Sequence, residues 1–229
     1  MYNRARGVAI PSGSGGGSTH QEAVAGLHFD AHVQSCHVLH PKPEPVTGTP
    51  DPQPWRCLSQ IVEIRSPWLS VIGERLLDGV GRELDYWRVE KPDSLLVITV
   101  HRGNLILPVR SYRPGVARAT LDFAGGRLED PGLIPATAEA VVRREFGLRG
   151  DDLVASRTAL NPVGWDVDSS TSSQRVYGIA LELREEIVVS DDSIGAAYPA
   201  TNLGGREALG DLVCVQCRAV LYEWLERNS

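Results

Sequence analysis

The 229-residue chain lacks a long apolar run, a basic excess and a dense set of cysteines. No stretch approaches the roughly 18 consecutive apolar residues that a membrane-spanning helix requires, so we expect no membrane partner. Asp and Glu (29) outnumber Lys and Arg (23), which gives a formal net charge of -6. Nucleic-acid binders usually carry a basic patch, so we expect no nucleic-acid partner. Four cysteines do not indicate a disulfide-rich secreted scaffold, and the sequence shows no apolar secretory segment, which together predict a cytoplasmic protein.

The first 54 residues differ in composition from the rest of the chain. They contain SGSGGGS and later PKPEPVTGTPDPQP, a composition typical of flexible or polyproline-like segments. We therefore predict a leader over 1–54 and a globular domain over 55–229. The leader holds His32, Cys36, His37 and His40 at metal-ligand spacing, but a loosely ordered polar segment is the favoured interpretation.

The domain from residue 55 onward alternates strand-like and helix-like segments. Apolar and polar residues alternate with a period of two in several short runs, which predicts half-buried strands. We predict strands or hairpins at 59–66, 68–91, 94–113, 153–160 and 175–183, with turns at 78–81 and 102–104. Good helix formers over 136–146 precede Gly147, a residue suited to a helix C-terminus, and a second helix is predicted over roughly 206–227. The pattern predicts an α/β (α+β) fold with a mixed sheet.

A glycine-rich turn, AGGRLE, stands directly before the first predicted helix, and their joint spacing resembles the signature of the Nudix superfamily. That signature is glycine, five residues, Glu, seven residues, Arg-Glu, an aliphatic, any residue, Glu-Glu, any residue, Gly and an aliphatic. With Gly126 at the first position, the register continues without a gap to Gly147 and Leu148. Upstream, 111–113 (Ser-Tyr-Arg) and 122–127 (Asp-Phe-Ala-Gly-Gly-Arg) resemble the matching steps of ADP-ribose pyrophosphatase-type members.

The resemblance covers about 55–229 and implies a Nudix-type α/β/α sandwich with a mixed sheet. It also implies that a small strand-rich part over 59–90 precedes the sandwich and serves in dimerisation. We therefore expect a homodimer. The degenerate loop and helix of the signature span 121–148.

The charged positions of the signature are mostly replaced in this chain. In the family, helix carboxylates hold Mg²⁺ against a diphosphate, and the metal activates a water molecule for attack on phosphorus. In register, Gly132 stands at the first Glu, Ala140 at the Arg and Val141 at the next Glu, while Arg144 and Glu145 take the Glu-Glu pair. Only Glu145 keeps the family's chemistry. We expect a dismantled metal site and no metal or cofactor, with Mg²⁺ required only if the chain is a hydrolase.

The catalytic candidates are the acidic residues that could compensate for these losses. ADP-ribose-type enzymes often use a Glu in a late loop as the base, but the corresponding stretch here offers aspartates and Gln174. Glu139 faces away from Val141 on the helical wheel. The candidate set is Glu145, Glu129, Asp166 and Asp168. For Glu145 the alternative is an ion pair with a neighbouring arginine.

The ligand candidates are arginines and aromatic residues around the same turn. Arginine binds phosphates and carboxylates through two parallel hydrogen bonds, so an anion clamp is one interpretation and solvated arginines are the other. The candidates are Arg113, Arg110, Arg127, Arg144, Tyr112 and Trp165. The Cys214–Cys217 pair is interpreted as apolar helix thiols rather than a zinc or redox site.

Three functions remain open from the sequence. The favoured one is a protein that binds a nucleotide-derived or other anionic small molecule without Nudix hydrolysis. The second is an active hydrolase of nucleoside diphosphate derivatives such as ADP-ribose or nucleotide sugars. The third is an isomerase or cyclase that reuses the pocket, with Asp166, Asp168 or Tyr112 as acid or base.

Overall fold

The computed structural model describes residues 53–150 and 152–229, so the predictions on residues 1–52 lie outside the described residues. The strands are β1 Arg56–Arg65, β2 Ser70–Leu77, β3 Glu83–Glu90, β4 Asp93–His101, β5 Asn104–Pro108, β6 Ser111–Arg113, β7 Arg118–Thr120, β8 Ala124–Leu128, β9 Val154–Ala159, β10 Trp165–Asp166, β11 Arg175–Leu183 and β12 Ile194–Pro199. The α-helices are α1 Ile134–Phe146, α2 Asn202–Asp211 and α3 Val215–Arg227.

The main sheet is mixed, as the sequence predicts. Strand β4 runs parallel to β11 and antiparallel to both β5 and β8. Strand β12 extends the sheet beyond β5, and β9 and β10 pair with β11. The parallel β4–β11 pair forms the centre of the sheet, where the strands are most apolar.

Two helical layers cover the two faces of this sheet. Successive side chains of a strand point to opposite faces. On β4, Leu95 and Val97 therefore pack with α1, whereas Leu96 and Ile98 pack with α2 and α3. The result is an α/β/α sandwich with one apolar core on each side of the sheet.

Local sequence determines where α1 and the β4–β5 hairpin end. Helix α1 begins two residues before the predicted 136–146 segment and terminates at Gly147, whose φ of 64° is left-handed. Glycine adopts this conformation without the steric cost that other residues meet. The hairpin turn likewise uses positive φ at Arg102 (48°) and Gly103 (73°). The helix and the hairpin turn are confirmed, but the predicted glycine-rich turn is wrong: Ala124–Leu128 forms strand β8, and a 3-10 turn, Pro131–Leu133, leads from it into α1.

The prediction of one C-terminal helix over 206–227 is wrong. The structure has two helices, because the chain leaves helical geometry at Leu212 (ψ 122°) and α3 begins after Cys214. One core contains side chains from both helices and from the break between them: Leu209 of α2, Leu212 at the break and Val220 of α3. Because buried apolar residues recur on both sides of the break, the spacing of apolar residues in the sequence does not indicate where α2 ends.

A separate three-stranded antiparallel sheet, β1–β2–β3, precedes the sandwich and confirms the predicted strand-rich part. Its predicted turn at 78–81 is held by Asp78, whose Oδ1 accepts hydrogen bonds from the amides of Val80 and Arg82, both at 2.9 Å. The Val89 amide donates to the Thr171 carbonyl at 2.6 Å, which ties β3 to the loop between β10 and β11. Within the residues that the structure describes, no helix is long and apolar enough to cross a bilayer.

Candidate functional site

The glycines of β8 lie where α1 packs closely against the strand. A Cβ atom on Gly126 would lie 2.9 Å from Val141 Cγ2, and one on Gly125 would lie 2.9 Å from Leu96 Cδ2. Val141 is only 3% exposed. Gly126 therefore lets α1 pack directly on β8, with Val141 as the side chain in contact.

The face of α1 beside β8 presents a guanidinium group. Arg144 Nη2 donates to the Gly125 carbonyl at 2.7 Å and to Glu145 Oε1 at 2.7 Å. The Glu145 carboxylate is thus paired, which agrees with the ion-pair interpretation. Glu139 lies elsewhere on the helix and pairs with Arg157 and, at 3.8 Å, with Arg143.

A cleft of about 380 Å³ opens beside the far end of β8. It is lined by Lys91, Pro92, Asp93, Arg127, Leu128, Glu129 and Ser173. Two of the predicted site residues, Arg127 and Glu129, therefore share one cavity. Arg127 is anchored from the β1–β2 loop, because its Nη2 donates to the Pro67 carbonyl at 2.7 Å and its guanidinium lies 5.6 Å from the centre of the Trp68 ring.

The other predicted arginines lie near the β6–β7 hairpin. Arg113 Nε donates to Asp122 Oδ2 at 2.9 Å, and the Thr120 hydroxyl donates to the same oxygen at 2.7 Å. Tyr112 is 65% exposed, and Arg110 lies in the exposed link between β5 and β6. Asp122 therefore balances part of the charge of Arg113.

The late loop uses its aspartates for structure. Asp166 pairs with Arg175 at 3.4 Å. Asp168 accepts hydrogen bonds from the Thr171 hydroxyl at 2.5 Å and the Ser170 amide at 3.0 Å. These bonds, led by that from Thr171, hold the pKa of Asp168 below its ordinary value. This carboxylate organises the turn in which it lies.

Trp165 and Gln174 also have structural contacts. Trp165 is half-buried and packs against the core beneath α2 and α3. Gln174 is 5% exposed, and its Nε2 donates to the Pro92 carbonyl at 3.0 Å and Ser94 Oγ at 2.7 Å. Donation by the amide to the Pro92 carbonyl joins the late loop to the start of β4, a bond that an ionised Glu could not make.

Sequence reasoning missed a group formed by Asp122, Cys214 and Cys217. Their Oδ and Sγ atoms all lie within 4.8 Å of one another. Cys214 is the N-cap residue of α3, and Cys217 is buried one turn later. A hydrogen bond from Cys217 lowers the pKa of Cys214 to about 6, and the same bond, with burial, raises the pKa of Cys217. The CxxC spacing was visible, but only the packing of α3 on the β7–β8 loop brings Asp122 to it.

The geometry can be compared with that of known proteins. No protein-family model matches the chain, and no curated protein is significantly similar to it in sequence. Its structure is similar to the crystal structure of an ADP compounds hydrolase, with a TM-score of 0.62 and 20% sequence identity. The similarity covers 78% of this chain and 96% of the other. The fold is Nudix-like. This confirms the predicted fold class, and at 20% identity it concerns the fold alone.

Proposed function

We propose that this Nudix-fold protein binds a nucleotide-derived or other anionic small molecule and does not catalyse Nudix hydrolysis. The observation that carries the proposal is the Arg144 guanidinium, held by the Gly125 carbonyl and by Glu145. It stands on the helix face where the signature has a carboxylate. A fixed positive charge there favours an anion and disfavours a metal cation.

The side chains on this face do not fit Mg²⁺. The ion prefers near-octahedral coordination by several hard oxygen atoms. Val141 offers no oxygen and is buried against β8, and Glu145 is already paired with Arg144. We therefore assign the metal no part in the function of this chain.

The cleft at the end of β8 offers a place for the anion. Its lining combines the cations Lys91 and Arg127 with the carboxylates of Asp93 and Glu129, and Arg144 contacts the same strand at Gly125. Guanidinium groups bind phosphate oxygens through paired hydrogen bonds. Arg113 and Arg144 are each paired with a carboxylate, and we prefer Arg144 because it also contacts β8, the strand that carries Arg127 into the cleft. We propose that Arg127 and Arg144 are the main anion-binding residues.

Calorimetry with ADP-ribose in the absence of divalent metal tests the proposal. We expect ADP-ribose to bind the full chain, and Arg127→Gln to weaken binding at least tenfold, on the order of one charge-assisted hydrogen bond. Arg206→Gln is the control, because Arg206 is an exposed arginine on α2 whose Nε donates to Asn202 at 2.7 Å. This control should bind as the unmodified protein does.

A screen for phosphomonoester products, in which an added phosphatase releases their phosphate for detection, separates the two main alternatives. ADP-ribose, nucleotide sugars and dinucleotides are incubated with the protein and Mg²⁺ or Mn²⁺, and we expect no turnover. Hydrolysis that disappears in Glu145→Gln would establish the active-hydrolase alternative. Absence of both binding and turnover across these compounds would show that the proposed ligand class is wrong.

We also propose that the chain forms a homodimer through the β1–β3 sheet. This sheet leaves large apolar side chains exposed, including Ile61 (47%), Ile64 (55%), Trp68 (74%) and Trp87 (51%). Soluble monomers rarely expose large contiguous apolar patches, and a two-fold axis would cover this surface with its own copy.

Light scattering should give a mass of twice 24.9 kDa for the unmodified protein. Ile64→Glu should shift the mass toward the monomer, because it places a charge in the proposed interface. Val188→Glu alters an equally apolar but remote residue, 82% exposed, and should leave the dimer intact. A monomer at high micromolar concentration would contradict the proposal.

A further inference from the structure

We propose that Asp122, Cys214 and Cys217 form a zinc-binding site, separate from the anion site and independent of the proposed function. The three ligand atoms already lie within 4.8 Å of one another. Zinc binds thiolate sulfur at about 2.3 Å and carboxylate oxygen at about 2.0 Å, so tetrahedral ligand atoms stand about 3.5–3.8 Å apart. Side-chain movements of about 1 Å would therefore complete the coordination of one ion.

The two oxygens of Asp122 have different surroundings. Oδ2 accepts from Arg113 and Thr120, whereas Oδ1 accepts a long hydrogen bond from the Cys217 thiol at 3.9 Å, which loss of the thiol proton on metal binding would remove. Outer hydrogen bonds of this kind orient a ligating carboxylate, and they are a regular part of protein zinc sites. The existing bonds on Oδ2 thus leave Oδ1 available to the metal.

The backbone arrangement favours simultaneous binding by both cysteines. Cys214 is the N-cap residue of α3 and Cys217 lies in its first turn, so the CxxC segment turns both sulfur atoms toward the β7–β8 loop that carries Asp122. Cys217 is 1% exposed and Cys214 is half-buried. A fourth coordination position would therefore lie on the accessible side, where water or a ligand atom can occupy it.

The charges and the ligand types select a thiophilic divalent cation. Two thiolates and one carboxylate carry three negative charges, and Zn²⁺ with the Arg113 guanidinium carries three positive charges. Thiolates favour zinc over hard cations such as Mg²⁺. A bound zinc ion would link α3 to the loop that leads into β8.

Cobalt and zinc titrations of the reduced, metal-free full chain test this site. Co²⁺ should produce a sulfur-to-metal charge-transfer band, and Zn²⁺ should abolish it by displacement. Cys214→Ser should remove the band and weaken Zn²⁺ binding at least tenfold in competition with a chromogenic chelator, and Asp122→Asn should weaken it similarly. Zn²⁺ should raise the melting temperature of the unmodified protein and not that of Cys214→Ser.

Two cysteine variants serve as controls. Cys57→Ser changes a half-buried thiol outside the cluster, and Cys36→Ser removes the thiol of the N-terminal segment; both should keep the band. Circular dichroism of metal-free Cys214→Ser checks that this variant folds. The site is wrong if the reduced protein gives no charge-transfer band, if Cys214→Ser retains it, or if either control loses it. A Cys214–Cys217 disulfide that forms in air, with no zinc binding after reduction, would also overturn the site.

Discussion

Arg88→Met is expected to lower the free energy of unfolding by about 3–5 kcal/mol, the range found when one partner of a buried ion pair is removed. Arg88 Nε donates to Glu74 Oε2 at 2.8 Å and its Nη2 to Oε1 at 3.4 Å, which joins β2 to β3. Glu74 is 6% exposed, so bulk water cannot readily solvate its carboxylate when the guanidinium is removed. The variant would keep most of the side-chain volume and lose the charge.

Thermal unfolding measures this effect against a matched control. In a chain of this size, each kcal/mol shifts the melting temperature by about 2–4 °C, so a fall of more than about 6 °C is expected. Arg75→Met breaks a similar cross-strand pair with Asp85, but there both side chains are about half exposed (51% and 52%). That variant should cost less than about 1 kcal/mol. Equal losses in the two variants would show that burial of Glu74 does not determine the effect.

Periodicity predicted most of the sandwich because its core strands bury both faces or one face in regular alternation. Strand β4 reads as a continuous apolar run, and its residues divide strictly between the two cores. The end of α1 at Gly147 and the turn at 102–103 are also explained locally, by residues with positive φ angles. These features are determined by residues close together in the chain, so the sequence alone predicts them.

The site was less predictable because its contacts join distant parts of the chain. Asp122 lies 95 residues from Cys217, and no spacing rule connects a β7–β8 loop to the start of α3. In the sequence Gln174 stands only where the resemblance implies a Glu, whereas the structure gives it contacts with Pro92 and Ser94 at the start of β4. The roles predicted for Glu129, Arg127 and the other site residues stay predictions, for which the structure supplies positions and contacts.

Arg144→Glu is expected to strengthen Mg²⁺ binding at least tenfold and to weaken binding of ADP-ribose. Two unit charges about 4 Å apart interact by about 1 kcal/mol in water and about 4 kcal/mol at an effective dielectric of 20. The Arg144 side chain is 61% exposed, so the lower value is the better guide, but Mg²⁺ carries two charges. The substitution also turns the repulsion into attraction and places a second carboxylate beside Glu145. A gain above tenfold, about 1.4 kcal/mol, follows from these charges alone.

Calorimetric titration with Mg²⁺ measures this gain, and Arg143→Glu is the matched control. Arg143 is the preceding residue of α1 and undergoes the same charge reversal, but its guanidinium contacts the Gly150 carbonyl and Glu139, away from Gly125. Only the Arg144 variant should therefore gain Mg²⁺ affinity and lose ADP-ribose affinity together. Tight Mg²⁺ binding to the unmodified protein, with a hydrolytic activity abolished by Glu145→Gln, would overturn the proposed function. The guanidinium beside Gly125 would then be an ordinary ion-pair partner of Glu145 rather than a substitute for the metal.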